Sequence, residues 1–127
     1  MKDKLITVGR FKKEINSLLG TDFEECKIVR SQGLLTHLIK RKHFDSVKYI
    51  DYIPEIIAKP DYIGFDRTEG NKSLLYIKKY DRFLYLSVKV DEKKQYMYVS
   101  TFLCKEERKI ARMIFSKKII PYVDNID

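Results

Sequence analysis

The chain has 127 residues, 44% of them hydrophobic and 35% charged, which fits one folded domain over residues 1–127 with its own core and excludes a disordered tract. Lys and Arg number 26 against 18 Asp and Glu, a net charge of +8, and a field of that sign draws polyanions. No stretch is apolar enough for a membrane-spanning helix, and the first residues lack the apolar run of a signal peptide, so the expected location is cytoplasmic, with delivery into a target cell as the other route.

The surplus of positive charge is uneven. Residues 1–50 hold eleven Lys and Arg against six acids, whereas residues 51–104 hold nine against eight. In chain order, residues 10–19 place Phe11, Ile15, Leu18 and Leu19 at the spacing of one helix face, and Gly20 follows as a stop. Residues 26–30 read as a short strand. Residues 34–43 read as a second helix with Leu34, Leu35, Leu38 and Ile39 as its buried stripe, His37 near the stripe's edge, and Arg41, Lys42 and His43 at its basic end. A third helical piece covers residues 46–58. Pro54 requires a break in it near Asp51, and Pro60 ends it.

From Asp61 the periodicity changes. Residues 62–65, 74–80, 83–90 and 95–102 are β-branched and aromatic, joined by short connections at 66–72, 81–82 and 91–94, the pattern of an antiparallel meander. A last helix over 105–115 leads into Lys117, Lys118 and Pro121. Helices first and strands second make the fold class α+β, with N-terminal helices, a four- or five-stranded antiparallel sheet and a C-terminal helix.

Alternation along the strands separates two faces. Leu75, Ile77, Leu84, Leu86, Val88, Val90, Met97 and Val99 form an apolar face expected to pack on the helices. Tyr76, Lys78, Tyr80, Tyr85, Ser87, Lys89, Tyr96, Tyr98 and Ser100 form an aromatic, basic and hydroxylated face without a carboxylate. Rings stack on exposed bases and cations hold phosphates, so this face suits single-stranded RNA. A solvated face rich in tyrosine for its strand propensity would look the same.

His37 and His43 are the two histidines, the residue type most often used to accept and donate a proton in catalysis. Cleaving RNA without a metal needs a base for the 2′-OH, an acid for the leaving 5′-oxygen, and cations or donors around the phosphorane. Cys26 and Cys104 are far apart, have no zinc-site spacing, and read as two reduced thiols. There is no Gly-rich phosphate loop, no Gly-x-Ser-x-Gly and no His-Glu-x-x-His, so no metal or other cofactor is expected.

The run Tyr52-Ile53-Pro54-Glu55-Ile56-Ile57-Ala58-Lys59-Pro60-Asp61-Tyr62-Ile63-Gly64 resembles a segment of the phage-associated Barnase-EndoU-colicin-RelE-like (BECR fold) nucleases. The order around it is similar too, with Thr36 to His43 before it and Tyr76 to Tyr80, then Tyr98 to Phe102, after it. The resemblance implies helices followed by a sheet whose open face holds the site. It implies a metal-independent RNase, often a toxin, and an acidic immunity or antitoxin protein as a partner besides RNA. Carried over residue by residue, it implies catalytic roles for His37 or His43, for Lys78, for Ser100 or Thr101, and for Tyr80. Arg41, Lys42, Tyr76, Lys89 and Tyr98 are the candidate RNA contacts.

The resulting expectation is an endoribonuclease that cuts tRNA or other RNA by 2′-OH attack, leaving a 2′,3′-cyclic phosphate. A non-catalytic RNA- or DNA-binding module, or a protein-interaction domain, would use the same basic face.

Overall fold

The computed structural model describes residues 4–67, 72–91 and 93–122. The chain begins with strand β1 (Leu5–Phe11), helix α1 (Ile15–Leu19), strand β2 (Cys26–Ser31) and helix α2 (Leu34–Lys40). A short helix α3 (Phe44–Val47), a 3-10 turn (Ile50–Tyr52) and helix α4 (Ile53–Ala58) follow. Then come β3 (Tyr62–Asp66), β4 (Ser73–Lys79), β5 (Phe83–Lys89), β6 (Tyr96–Lys105), helix α5 (Glu107–Phe115) and β7 (Ile119–Pro121). The connections read at 66–72 and 91–94 and the residues after 122 fall partly or wholly outside the described residues.

The fold is α+β, but the sheet differs from the expected one. Among the described residues it has seven strands in the order β1-β2-β6-β5-β4-β3-β7. The meander β3-β4-β5-β6 is antiparallel as expected. β2, however, lies parallel to β6, which makes the sheet mixed. β7 adds a strand beyond β3.

The helix expected over 10–19 is shorter than its periodicity suggested. Arg10 and Phe11 close β1 opposite Lys27 and Cys26, and α1 starts only at Ile15. Ile6 and Thr7 are β-branched and pair with β2, so the strand ladder takes the segment and the fully buried Phe11 still reaches the core. The break near Asp51 is the 3-10 turn, and Pro54 sits in the first turn of α4, where a missing N–H costs nothing.

The largest core lies between one sheet face and helices α1, α2 and α4. It holds Phe11, Ile28, Leu38, Ile53, Ile56, Leu84, Leu86 and Phe102. A smaller core on the opposite face joins Leu75 and Ile77 to Ile110 of α5 and Ile119 of β7. Gly64 allows that second layer to close: a Cβ there would collide with the Lys118 carbonyl oxygen. On the other face, a Cβ on Gly9 would lie 2.9 Å from Ile57 Cγ2, so glycine lets α4 settle on β1.

The facing of β4 is a correction. Tyr76 pairs with Leu86 and Ile77 with Tyr85, and paired residues share a face. Tyr76 therefore points into the large core, while Leu75 and Ile77 lie under α5 and β7. Both faces of β4 are covered, so Leu74, Leu75, Tyr76 and Ile77 are all buried, and alternation carries no sign in a strand buried on both sides.

Candidate functional site

Two local irregularities build the site. The first is in β6. Ser87 pairs with Thr101, but the next residue, Val88, pairs with Val99, leaving Ser100 as an extra residue. This is a β-bulge, which bends its strand and ends neighbouring pairing. On its other side β6 pairs with β2 only from Tyr96 to Tyr98. Beyond that point the edge of β6 faces α2 and α3 instead of a strand.

The second irregularity ends α2. The Lys42 N–H donates to Ile39 O at 3.1 Å and the His43 N–H to Leu38 O at 2.9 Å. That pair of bonds is a Schellman ending, which needs a left-handed residue between them. Lys42 supplies it with φ 59°, where glycine is usual. The turn sends His43 back toward the sheet. The His43 carbonyl then accepts the Ser46 Oγ–H at 2.8 Å and the Ser46 N–H at 3.1 Å. Ser46 is fully buried, so it holds the His43 backbone in place.

Together these features form a cleft of about 290 Å³. His37, Arg41 and His43 line one side, Ser100 and Thr101 the other, and Leu34, Leu38 and Phe102 form its floor. His37 and Arg41 are exposed and His43 is half-buried. Ser100 Oγ donates to Ser87 O at 3.2 Å, which fixes its orientation. Two imidazoles, a guanidinium and two hydroxyls at one cleft can accept a proton, donate one and surround a phosphate with donors.

The other sequence-picked residues are not in this cleft. Lys78 Nζ donates to Lys59 O at 2.7 Å and approaches Asp61 Oδ1 at 4.0 Å. Its backbone pairs with Leu84, and Leu84 with Cys104, on the helix-covered side. Tyr80 donates to Glu55 Oε1 at 2.7 Å, and its ring stacks on Tyr49 with centroids 5.6 Å apart. Burial and then the Glu55 carboxylate push the Tyr80 phenol above its usual range. Lys78 and Tyr80 thus tie β4 to α4. Tyr76 is only 1% exposed and cannot stack a base, which removes it from the RNA contacts.

Lys89 and Tyr98 form a cross-strand pair on the face bearing Ser87 and Thr101, and both are half-buried. Lys42 is exposed in the left-handed turn. Leu35 and Ile39, expected in the buried stripe of α2, are exposed instead.

Sequence reading missed several residues. Lys94 Nζ sits 5.6 Å from the Tyr96 ring centroid and 5.5 Å from that of Tyr98, extending the cationic and aromatic face. Lys105 Nζ lies 4.2 Å from the Tyr85 ring centroid, and burial, then Lys109 and Lys118, lower its pKa. Ser46 carried no signal in the sequence beyond its place after His43. Among the described residues, no group of three or more His, Cys, Asp or Glu could hold a metal, and no helix is long and apolar enough to cross a membrane.

A family model described as phage-Barnase-EndoU-ColicinE5/D-RelE like nuclease3 matches residues 6–112. No curated protein and no solved structure matches the chain.

Proposed function

The chain belongs to this phage-Barnase-EndoU-ColicinE5/D-RelE like nuclease family, and from that premise we propose that it is a metal-independent endoribonuclease acting as a toxin on tRNA or other RNA. The observation that carries the reading is the convergence of His37, Arg41 and His43 with Ser100 and Thr101 on one cleft. In the proposed reaction one imidazole takes the proton of the ribose 2′-OH. The 2′-oxygen bonds to the adjacent phosphorus, the P–O5′ bond breaks, and the other imidazole gives its proton to the 5′-oxygen. The products are a 2′,3′-cyclic phosphate and a free 5′-OH. Arg41 offsets the charge that gathers on the phosphorane oxygens, and Ser100 and Thr101 donate hydrogen bonds to them. Lys89 and Tyr98 hold the strand beside the cleft.

The test is purified protein with total tRNA in EDTA, followed by analysis of the RNA ends. Cyclic phosphate ends are expected, and His37→Ala or His43→Ala should slow cleavage by about 10²–10⁴-fold. Absence of cleavage, or cleavage only with an added divalent metal, overturns the mechanism. The cation–π-rich face around Lys94 favours a second reading, an RNA- or DNA-binding module without chemistry. That reading predicts salt-sensitive binding, no products, and a His37→Ala/His43→Ala variant that binds as the parent does. An acidic immunity or antitoxin protein would dock on the same basic face and block it.

A further inference from the structure

A second cleft, of about 540 Å³, opens on the sheet at the other end of β6. Arg10, Lys27, Lys94 and Tyr96 line it, together with Glu25 and Cys26. The register explains why the first residues meet: Arg10 pairs with Lys27, and Lys27 with Tyr96, across three neighbouring strands. Paired residues share a face. Two residues along β6, the next rung carries Val29, Tyr98 and Lys89, and the rung after it carries Thr101 and Ser87 at the bulge. The face that bears Tyr96 and Tyr98 therefore continues along β6 as far as Thr101, which lines the histidine cleft.

We propose that this second cleft is a nucleotide subsite for a single-stranded extension of the RNA, several residues from the cut; the position of that cut rests on the function proposed above. Arg10, Lys27 and Lys94 line the cleft against the one carboxylate of Glu25, while Asp22, Glu24 and Asp91 line the adjoining cleft beyond Lys94 and Tyr96, so the cations gather on the Arg10–Lys27 side. Glu25 Oε2 accepts the Lys13 N–H at 3.1 Å, which holds that carboxylate toward the β1–α1 turn. Tyr96 offers a ring. Lys94 lies over the Tyr96 and Tyr98 rings. A stacked base is worth more than an exposed cation–π contact, so the base takes the ring and Lys94 turns to the neighbouring phosphate. From Tyr96 to Ser100 is roughly 13 Å at strand rise. About four nucleotides at stacked spacing cover that distance, and fewer extended ones do. The substrate is therefore single-stranded RNA held along β6, with recognition reaching well beyond the nucleotides at the cut.

The test compares a dinucleotide with a single-stranded RNA of about eight nucleotides, for the parent, Lys27→Ala/Lys94→Ala and Tyr96→Leu. Lys27 and Lys94 are exposed, so their double variant should fold. Either variant should lose about tenfold in kcat/KM on the long RNA, through KM, and nothing on the dinucleotide. Equal losses on both lengths, or no loss on either, overturn the subsite.

Binding of a labelled long RNA carrying a 2′-deoxy residue at the cut is the second readout. Affinity should rise with length in the parent, and the triple variant Arg10→Ala/Lys27→Ala/Lys94→Ala should reduce the salt slope by about 2. If the parent cuts nothing yet shows this length and salt behaviour, the nuclease reading falls and the subsite stands. Cleavage without length-dependent binding overturns the subsite alone, and neither cleavage nor binding overturns both.

Discussion

Tyr76→Phe tests whether the polar face of the sheet has been placed correctly. The Tyr76 ring is 1% exposed, and its hydroxyl has no hydrogen-bond partner among the described residues. A buried, unsatisfied hydroxyl costs about 1–3 kcal/mol of desolvation that nothing returns. Phenylalanine keeps the ring packing against the Leu86 side of the core and removes that cost. For a chain of this size, about 3–4 °C of melting temperature accompanies each kcal/mol, so Tyr76→Phe should melt roughly 3–12 °C higher. Burial also pushes the Tyr76 phenol well above its ordinary value of 10.0. An acid whose folded pKa is raised contributes its stability fully below the unfolded value and loses it as pH rises beyond that value. The parent should therefore weaken above about pH 10 more than Tyr76→Phe does, and the gap between them should widen there. Thermal melts at neutral pH and near pH 10.5 measure both effects. Cleavage should be unchanged, because Tyr76 does not line the histidine cleft. A variant that melts lower, with a constant gap, would show that the hydroxyl has a partner; lost cleavage at unchanged stability would return Tyr76 to the RNA face and refute the register argument.

Lys42→Gly should raise stability by about 0.5–1 kcal/mol by relieving a left-handed lysine, and Lys117→Gly, at φ 63° after α5, should do the same. Denaturant titration checks both, while the salt slope of RNA binding should fall by about 0.7 for Lys42→Gly if that lysine meets a phosphate. Gly64→Ala should cost about 1–3 kcal/mol, since its Cβ would meet the Lys118 backbone; an unchanged urea midpoint would refute the tight approach of the α5–β7 link. Tyr80→Phe should cost about 1 kcal/mol through the lost bond to Glu55, with kcat intact, because Tyr80 braces α4 and does not line the histidine cleft.

The meander was legible because β3 to β6 alternate or run apolar between short polar connections, and neighbours in sequence became neighbours in space. β1 was not, because the apolar spacing of Phe11 and Ile15 also fits a helix and a single glycine at Gly9 interrupts the strand pattern. The parallel pairing of β2 with β6 joins residues about seventy positions apart, and no local periodicity encodes such a partner. At the site, His37, His43, Ser100 and Thr101 were found as residue types suited to proton transfer and phosphate contact. Their meeting depends on a bulge and a left-handed lysine. Lys78 was misplaced for a different reason: it is basic and lies in the right strand, but Lys59 O and Asp61 claim its ammonium.

The bulge itself follows from burial. Val99 and Phe102 both enter the large core, yet they are three residues apart, and an odd separation places side chains on opposite faces of a regular strand. β6 can bury both only by inserting one extra residue between them. That residue is Ser100. Thr101 is thereby kept on the face away from the large core, paired with Ser87, so two hydroxyls stand side by side where a regular strand would send one of them into that core. The same bend carries β6 away from β2 after Tyr98 and opens the edge against which α2 delivers its histidines. The apolar demand for Phe102 and the polar chemistry of the cleft thus come from one irregularity, and a substitution that straightens β6 would bury Thr101, expose Phe102 and close the site at once.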